Sequence, residues 1–374
     1  MRSIFVCRAT KKRFSSTSDG EPMTVSPFDS PILSALLGDA EAARYFSIEE
    51  DIRAMLAFES ALARAQAAIG LIPAEAAARI AAVCESFAPD VARLAAGAAQ
   101  DGVVAPMLVK LLRAEVGEPQ AVHVHRGATS QDVVDTSLVL RLKPLLALFE
   151  ARLRALIETL DELEASQGAV KLMGRTRMQR ALPIHAADKL RGWREPLERH
   201  VARLGQLQPR VLVVQFGGAV GVRGDLDGKG EAIVVELARL LQLGAGPCWQ
   251  VERDALGELA SWASLVTGSL GKIGADVALM AQNEIGEVKL AEGGGSSAMP
   301  HKSNPVRAEV LVTLARFNAA LLGAQHQALV HENERSGAAW TLEWLALPQM
   351  IVATAAALRH AAALCAGLRF IEKD

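Results

Sequence analysis

Residues 292–309 read EGGGSSAMPHKSNPVRAE, and four side chains in this stretch could act on an acidic substrate. Ser296 and Ser297 carry hydroxyls, which need activation before they serve as bases or nucleophiles. Lys302 follows six residues after Ser296 and five after Ser297, near enough to lower a hydroxyl pKa if the loop folds back, and Asn304 adds an amide donor. Cation, amide and hydroxyl together suit a site where negative charge develops on a substrate carboxylate. The three glycines permit φ > 0 and hinge motion, while Pro300 and Pro305 fix φ and each remove a donor. The stretch is therefore neither helix nor regular strand. Its composition alone is equally that of a solvent-exposed linker rich in turn formers.

Three further motifs have comparable chemistry. In HVHRGATSQDVVDT (123–136), Thr129 and Ser130 supply hydroxyls and Gln131 an amide, where a helix is predicted to begin at Asp132. A helix N-terminus with hydroxyl side chains is a ready anion site; the plainer reading makes Ser130 or Asp132 an N-cap. GRTRMQRALP (174–183) supplies Arg175, Thr176, Arg177 and Gln179. Two guanidinium groups in a Gly-bounded loop suit carboxylate recognition. QFGGAVG (215–221) follows neither the strand nor the glycine order of a dinucleotide loop, and GKG near Lys229 lacks the spacing of a phosphate-binding loop.

The elements that must position these residues are helices. Ser47 with Glu50 forms a capping box ahead of Met55, Leu56, Leu62 and Ile69, and Gly70 is a fitting stop. Shorter helices are expected between Pro73 and Val116, with breaks near Pro89 and Asp101-Gly102. Then the helices lengthen. Leu138, Leu142, Leu145, Phe149, Leu153, Leu156, Leu160 and Leu163 recur every three or four residues. So do Leu259, Ala263, Val266, Leu270, Ile273, Val277 and Met280, and again Val310, Leu314, Phe317, Leu321 and Ala324. Such spacing is the seam of a helix bundle, which Pro144 is expected to kink. Off-seam Val139, Leu146, Leu148 and Leu265 make these helices apolar on several faces, as in a bundle completed by other subunits. The motifs fall between these helices, where side chains can converge on an inter-helix pocket.

Composition narrows the function classes. Of 374 residues, 51% are hydrophobic and 4% aromatic, a mix favouring helix over strand. A net charge of −2 argues against a nucleic-acid or membrane-surface partner. Cys7, Cys84, Cys248 and Cys365 have no paired spacing and the eight histidines no ligand spacing, so reduced thiols of a cytoplasmic protein, and neither metal nor other cofactor, are expected. Residues 1–22 are basic, Ser/Thr-rich and non-periodic. They are expected to be a disordered extension or an over-called start ahead of Met23, since IFVC is too short for a secretory signal. The expected organisation is a small N-terminal helical domain over 23–116 and a long-helix bundle over 117–374.

GSSAMPHKSNP is similar to the signature of the fumarase/aspartase superfamily, and the other three motifs fall in that family's order. More narrowly, HRGATSQDVVDT, GRTRMQRALP, QFGGAVG and HENERSGAAWTLEW resemble its 3-carboxy-cis,cis-muconate cycloisomerase branch, over roughly residues 27–350. The resemblance implies an all-α homotetramer whose active sites each combine loops from three subunits, and a small tricarboxylate substrate. It implies a reaction through an aci-carboxylate in protocatechuate catabolism. Carried over by motif, Ser296 is the acid/base, with Ser297 second, and Lys302 and Asn304 hold the aci-carboxylate. His125, Thr129, Ser130, Gln131, Arg175, Thr176, Arg177, Gln179, Gln215, Met299 and Arg335 are the implied substrate contacts. The resemblance also leads one to expect a C-terminal domain that is reduced or absent here.

Two departures from the family's lyases carry information. Their second loop commonly reads G-R-T-H, the histidine being the general acid; here Arg177 stands there. A lyase motif like H-D-V-V-A-F, whose histidine supports that acid, here reads DGVVAP from Asp101. An amine leaving group needs a proton donor. A carboxylate, with a parent-acid pKa near ~4, leaves unaided and gains more from a positive charge. Loss of both histidines thus points to lactone chemistry. The alternatives are an adenylosuccinate- or argininosuccinate-type lyase and a catalytically silent structural relative.

Overall fold

The computed structural model describes residues 25–224, 226–291, 293–295, 299 and 303–372. A strap containing the single-turn helices α1 (Ser34–Leu37) and α2 (Ala40–Ala43) leads into α3 (Ile48–Ala68). Ser47 caps α3 by accepting from the Glu50 N–H, and Gly70 past its end has φ 69°. Next come α4 (Ala74–Ser86), α5 (Val91–Asp101) and α6 (Ala105–Val116). Gly102, with φ 73°, ends α5 in the left-handed conformation that favours glycine.

The long elements are α7 (Ser130–Gln167), α8 (Ala186–Val211), α10 (Asp254–Met280), α11 (Val306–Gln327) and α12 (Gly337–Ala366), with α9 (Gly230–Leu241) between α8 and α10. Leu142, Leu145, Phe149, Leu153, Leu156 and Leu160 of α7 and the whole α10 seam are buried in one core with α8 and α12. Glycine lets α10 and α11 approach closely: a side chain at Gly271 or Gly274 would collide with Ala315 or with the Ala308 carbonyl. α7 runs unbroken through Pro144. Apolar on nearly all sides, α12 has the length and composition to cross a membrane, yet it is mostly buried against α7, α10 and α11. Leu265, by contrast, stays exposed on α10.

A second core unites α3, α4 and α6 with Phe216, Leu226, Val234 and Leu237, so the segment around α9 packs with the N-terminal helices. The strap goes the other way: Phe28, Leu37 and Phe46 lie on the bundle core. Two antiparallel pairs complete the helical frame, β1 (Lys171–Thr176) with β2 (Gln179–His185), and β3 (Val288–Leu290) with β4 (Leu368–Phe370).

Candidate active site

At the N-terminal end of α7, three of the motifs meet. The helix cap is Thr129, one residue before Ser130, and Asp132 occupies the third helical position; the expected caps were Ser130 or Asp132. Buried Asp132 accepts four hydrogen bonds. Its Oδ1 takes the Gly217 N–H (2.8 Å) and the Gln215 amide (3.0 Å), and its Oδ2 takes the Gly218 N–H (3.0 Å) and the Thr129 N–H (2.9 Å). Burial pushes this carboxyl up to about 6, with the four donors pulling the other way. Asp132 therefore clamps residues 215–218 onto the start of α7. Arg335, just before α12, closes the cluster: its Nη2 donates to Thr129 Oγ1 at 2.5 Å and to the Ala219 carbonyl at 3.3 Å. The Arg335 guanidinium and the Thr129 hydroxyl thus meet at the positive end of α7 beside the half-buried Ser130, an arrangement chemically suited to a carboxylate.

Other residues named for this end serve the frame. Gln215 is wholly buried, its amide given to Asp132 and Cys248 and its oxygen to the Trp249 N–H, which leaves it nothing for a ligand. Gln131 is equally buried and donates to the Gln250 carbonyl. His125, with φ 61°, meets Glu59 at 2.5 Å. Burial disfavours its charge, but the Glu59 carboxylate outweighs this and raises its pKa above the ordinary value.

The opposite end of the bundle holds the other two motifs. Residues 174–183 form a β-hairpin where a loop was expected: Thr176 pairs with Gln179, and Arg177 (φ 49°) and Met178 (φ 67°) are its two turn residues. Two positive φ values define the turn that matches strand twist. No glycine marks it, so periodicity could not reveal it. The hairpin carries Arg177 and Met178 outward, exposed. Arg175 instead forms an ion pair with Glu287 at 2.8 Å, and its charge is spent there. Alongside, the signature loop is closed at its base by two backbone bonds between Gly294 and Asn304, at 2.8 and 2.9 Å. Met299 is exposed. Ser296, Ser297 and Lys302 lie outside the described residues.

The two ends stand far apart. α7 separates Thr129 from the hairpin by 38 residues, which at 1.5 Å per residue is about 57 Å. α12, with 30 residues, separates Arg335 from the β3–β4 pair beside the signature loop by about 45 Å. The two groups of motif residues therefore lie at opposite ends of the bundle.

Sequence reasoning missed what anchors the first half-site. Arg253, fully buried at the start of α10, binds Asp135 of α7 at 2.6 Å and Glu343 of α12 at 2.5 Å. Trp340 donates to the same Asp135 at 3.0 Å, and the Trp249 ring covers the guanidinium at 4.7 Å. Burial raises the Glu343 pKa against the pull of Arg253. The triad ties together the starts of the three helices that present Thr129 and Arg335. A 480 Å³ cavity, walled by Gly102, Val103 and Val104 on one side and by Asp135 and Glu343 on the other, adjoins it. Nothing local in the sequence signals the triad, since Asp135 and Glu343 lie 118 and 90 positions from Arg253.

The family model described as Lyase matches residues 39–318. The chain belongs to this lyase family, the fumarase/aspartase superfamily. This superfamily member is 43% identical over 330 residues to a 3-carboxy-cis,cis-muconate cycloisomerase of Pseudomonas aeruginosa, covering 86% of this chain and 72% of that protein. To the enzyme of that name in Acinetobacter baylyi it is 38% identical, covering 88% and 75%. The crystal structure of 3-carboxy-cis,cis-muconate lactonizing enzyme from Pseudomonas putida superposes with a TM-score of 0.86 at 40% identity, over 91% of this chain and 78% of that one. The long-helix bundle expected from the seams is the superfamily's fold.

Proposed function

We propose that this enzyme closes 3-carboxy-cis,cis-muconate to 4-carboxymuconolactone, a step of the protocatechuate branch of the β-ketoadipate pathway. The similarity to cycloisomerases over most of the chain supports that reaction. One observation carries the assignment against the lyases: a cationic Arg177 projects at the tip of the hairpin where they keep an acid. A carboxylate nucleophile or leaving group needs a counter-charge there rather than a proton.

The substrate is a small tricarboxylate, and the two half-sites divide its recognition. At one end Arg335, Thr129 and Ser130 take one carboxylate at the start of α7. At the other, Arg177, Thr176 and Gln179 supply the cation and amide of the hairpin, and Lys302 and Asn304 hold the aci-carboxylate as its charge develops. One substrate carboxylate adds within the molecule to the conjugated double bond, and Ser296, directly or through a water, delivers the proton to the α carbon. Because one chain holds its half-sites about 45–57 Å apart, the working site joins the α7 end of one copy to the hairpin end of another. We take that assembly to be a homotetramer in the cytoplasm with sites shared between subunits, as the resemblance to the superfamily implies. Ser296→Ala tests the roles: turnover should vanish while assembly persists, and a fully active Ser296→Ala enzyme would remove Ser296 from the mechanism.

A further inference from the structure

Glu287 belongs to none of the sequence motifs, and it is buried one residue ahead of β3. Its backbone is fixed on two sides. The N–H donates to the Met280 carbonyl at the end of α10 (3.0 Å), and the carbonyl accepts the Ile371 N–H just past β4 (2.9 Å). Its carboxylate reaches across to β1. Arg175 Nη1 donates to both oxygens, at 2.9 and 2.8 Å, and the Met173 N–H donates to Oε1 at 3.3 Å. The same Arg175 Nη1 donates to the Met173 carbonyl at 3.0 Å, so one ion pair satisfies both backbone groups of Met173.

This contact falls where the hairpin leaves its regular register. Met173 faces Pro183 but Arg175 faces Arg180, so Gly174 alone opposes both Ala181 and Leu182. That is a bulge, a device that bends a strand and re-aims the side chains beyond it. Only glycine fits there, since a Cβ on Gly174 would lie 2.7 Å from the Leu182 carbonyl. Pro183 has no N–H for the ladder, and a two-stranded ribbon has little stability of its own. Leu172 is buried in the bundle core, whereas residues 176–183 are all exposed. Within one chain, core packing therefore does not fix the outer hairpin, and a slip of one residue would exchange its faces. With Arg175 drawn inward to Glu287, the turn residues Arg177 and Met178 are left projecting away from the bundle.

We propose that Glu287 is a positioning residue for lactonisation: through Arg175 and Met173 it holds the bulge, and the bulge aims Arg177 at the reacting carboxylate. This role rests on the lactonising reading, in which Arg177 supplies the counter-charge. Glu287 is enclosed by its partners on β1 and acts through Arg177 alone. Aim matters at such a position, since a misplacement of about 1 Å can cost about 10²-fold in rate.

Steady-state kinetics of assembled Glu287→Met, Arg177→Gln and the double variant test this, with hydrogen exchange of peptides spanning 171–185 as a readout that needs no turnover. Glu287→Met keeps the side-chain volume and offers no acceptor. It should lower kcat at least about tenfold with KM within about twofold, the mark of an interaction made in the transition state. Added to Arg177→Gln, it should cost less than about twofold further, because the two residues act in series. The hairpin peptides should exchange about tenfold faster, the Met173 N–H having lost a charged acceptor. Glu287→Gln, which retains one acceptor oxygen, should recover most of kcat. Lys171→Ala, which removes an exposed pair with Glu372 on the same strand, should leave kcat unchanged. If Glu287→Met fails to assemble, Arg175→Met, which strips the pair from the other side, should show the same losses. Wild-type kcat in Glu287→Met, losses that multiply in the double variant, or unchanged exchange would each overturn the proposal. Absence of turnover in the wild-type protein would instead refute the lactonising reading, and the exchange result would still decide whether Glu287 holds the hairpin.

Discussion

Replacing Arg253 by Met leaves Asp135 and Glu343, both fully buried, with no cation between them. Removing one partner of a buried ion pair typically costs about 3–5 kcal/mol, because the remaining charge stays desolvated. Here two carboxylates remain, so the upper part of that range is expected at alkaline pH. Asp135 keeps the Trp340 N–H, which softens the loss slightly. The cost should depend on pH in a definite sense. Burial already raises the Glu343 pKa with Arg253 present, and losing that cation removes the main force pulling it back down. A raised carboxyl pKa means that the folded state binds more protons than the unfolded one between the two values. Stability therefore increases as pH falls through that window. Arg253→Met should lose about 4 kcal/mol near pH 8 and recover much of it on acidification toward pH 5. Adding Glu343→Gln should flatten the recovery. Because the triad holds the starts of α7, α10 and α12, about 2 kcal/mol of misplacement at Arg335 would lower kcat/KM about thirtyfold. Denaturant unfolding across pH, at fixed protein concentration, reads the first effect and steady-state kinetics the second. A loss below about 1 kcal/mol that does not vary with pH would refute the reasoning, since exposed pairs behave that way.

Three further outcomes follow from the same geometry. Mixing inactive Ser296→Ala with inactive Arg335→Met after dissociation and reassembly should restore activity, since each contributes an intact half-site; no recovery in mixed assemblies would mean that one chain completes the site. Arg177→Gln should lower kcat/KM about 10²-fold with assembly unchanged, the usual loss for one donor to a developing charge; wild-type kinetics would exclude the hairpin tip from catalysis. The Glu59 partner raises the His125 pKa above its ordinary value of about 6.5. Its stabilisation is then full below that value and lost as pH rises through the folded-state pKa, so His125→Gln should abolish that dependence in thermal unfolding; an identical pH profile in the variant would assign it to another group.

Local pattern carried much of the frame. The α7 and α10 seams are buried as their spacing demands, and Ser47, Gly70 and Gly102 punctuate the chain where capping and left-handed backbone require. What local pattern cannot carry is pairing between distant residues. Arg175 looked available until Glu287, 112 positions later, took its charge. Gln215 resembled a ligand contact because nothing near it in sequence shows that Asp132 and Trp249 consume its amide. The 174–183 hairpin escaped notice because Arg177 and Met178 adopt positive φ without glycine.

Incubation of the purified, assembled protein with 3-carboxy-cis,cis-muconate tests the central claim most directly, following the diene absorbance with product identified by NMR. The absorbance should fall catalytically, with the lactone appearing in equal amount. An assembled protein that leaves the diene untouched, or that instead releases AMP and fumarate from adenylosuccinate, would contradict the account.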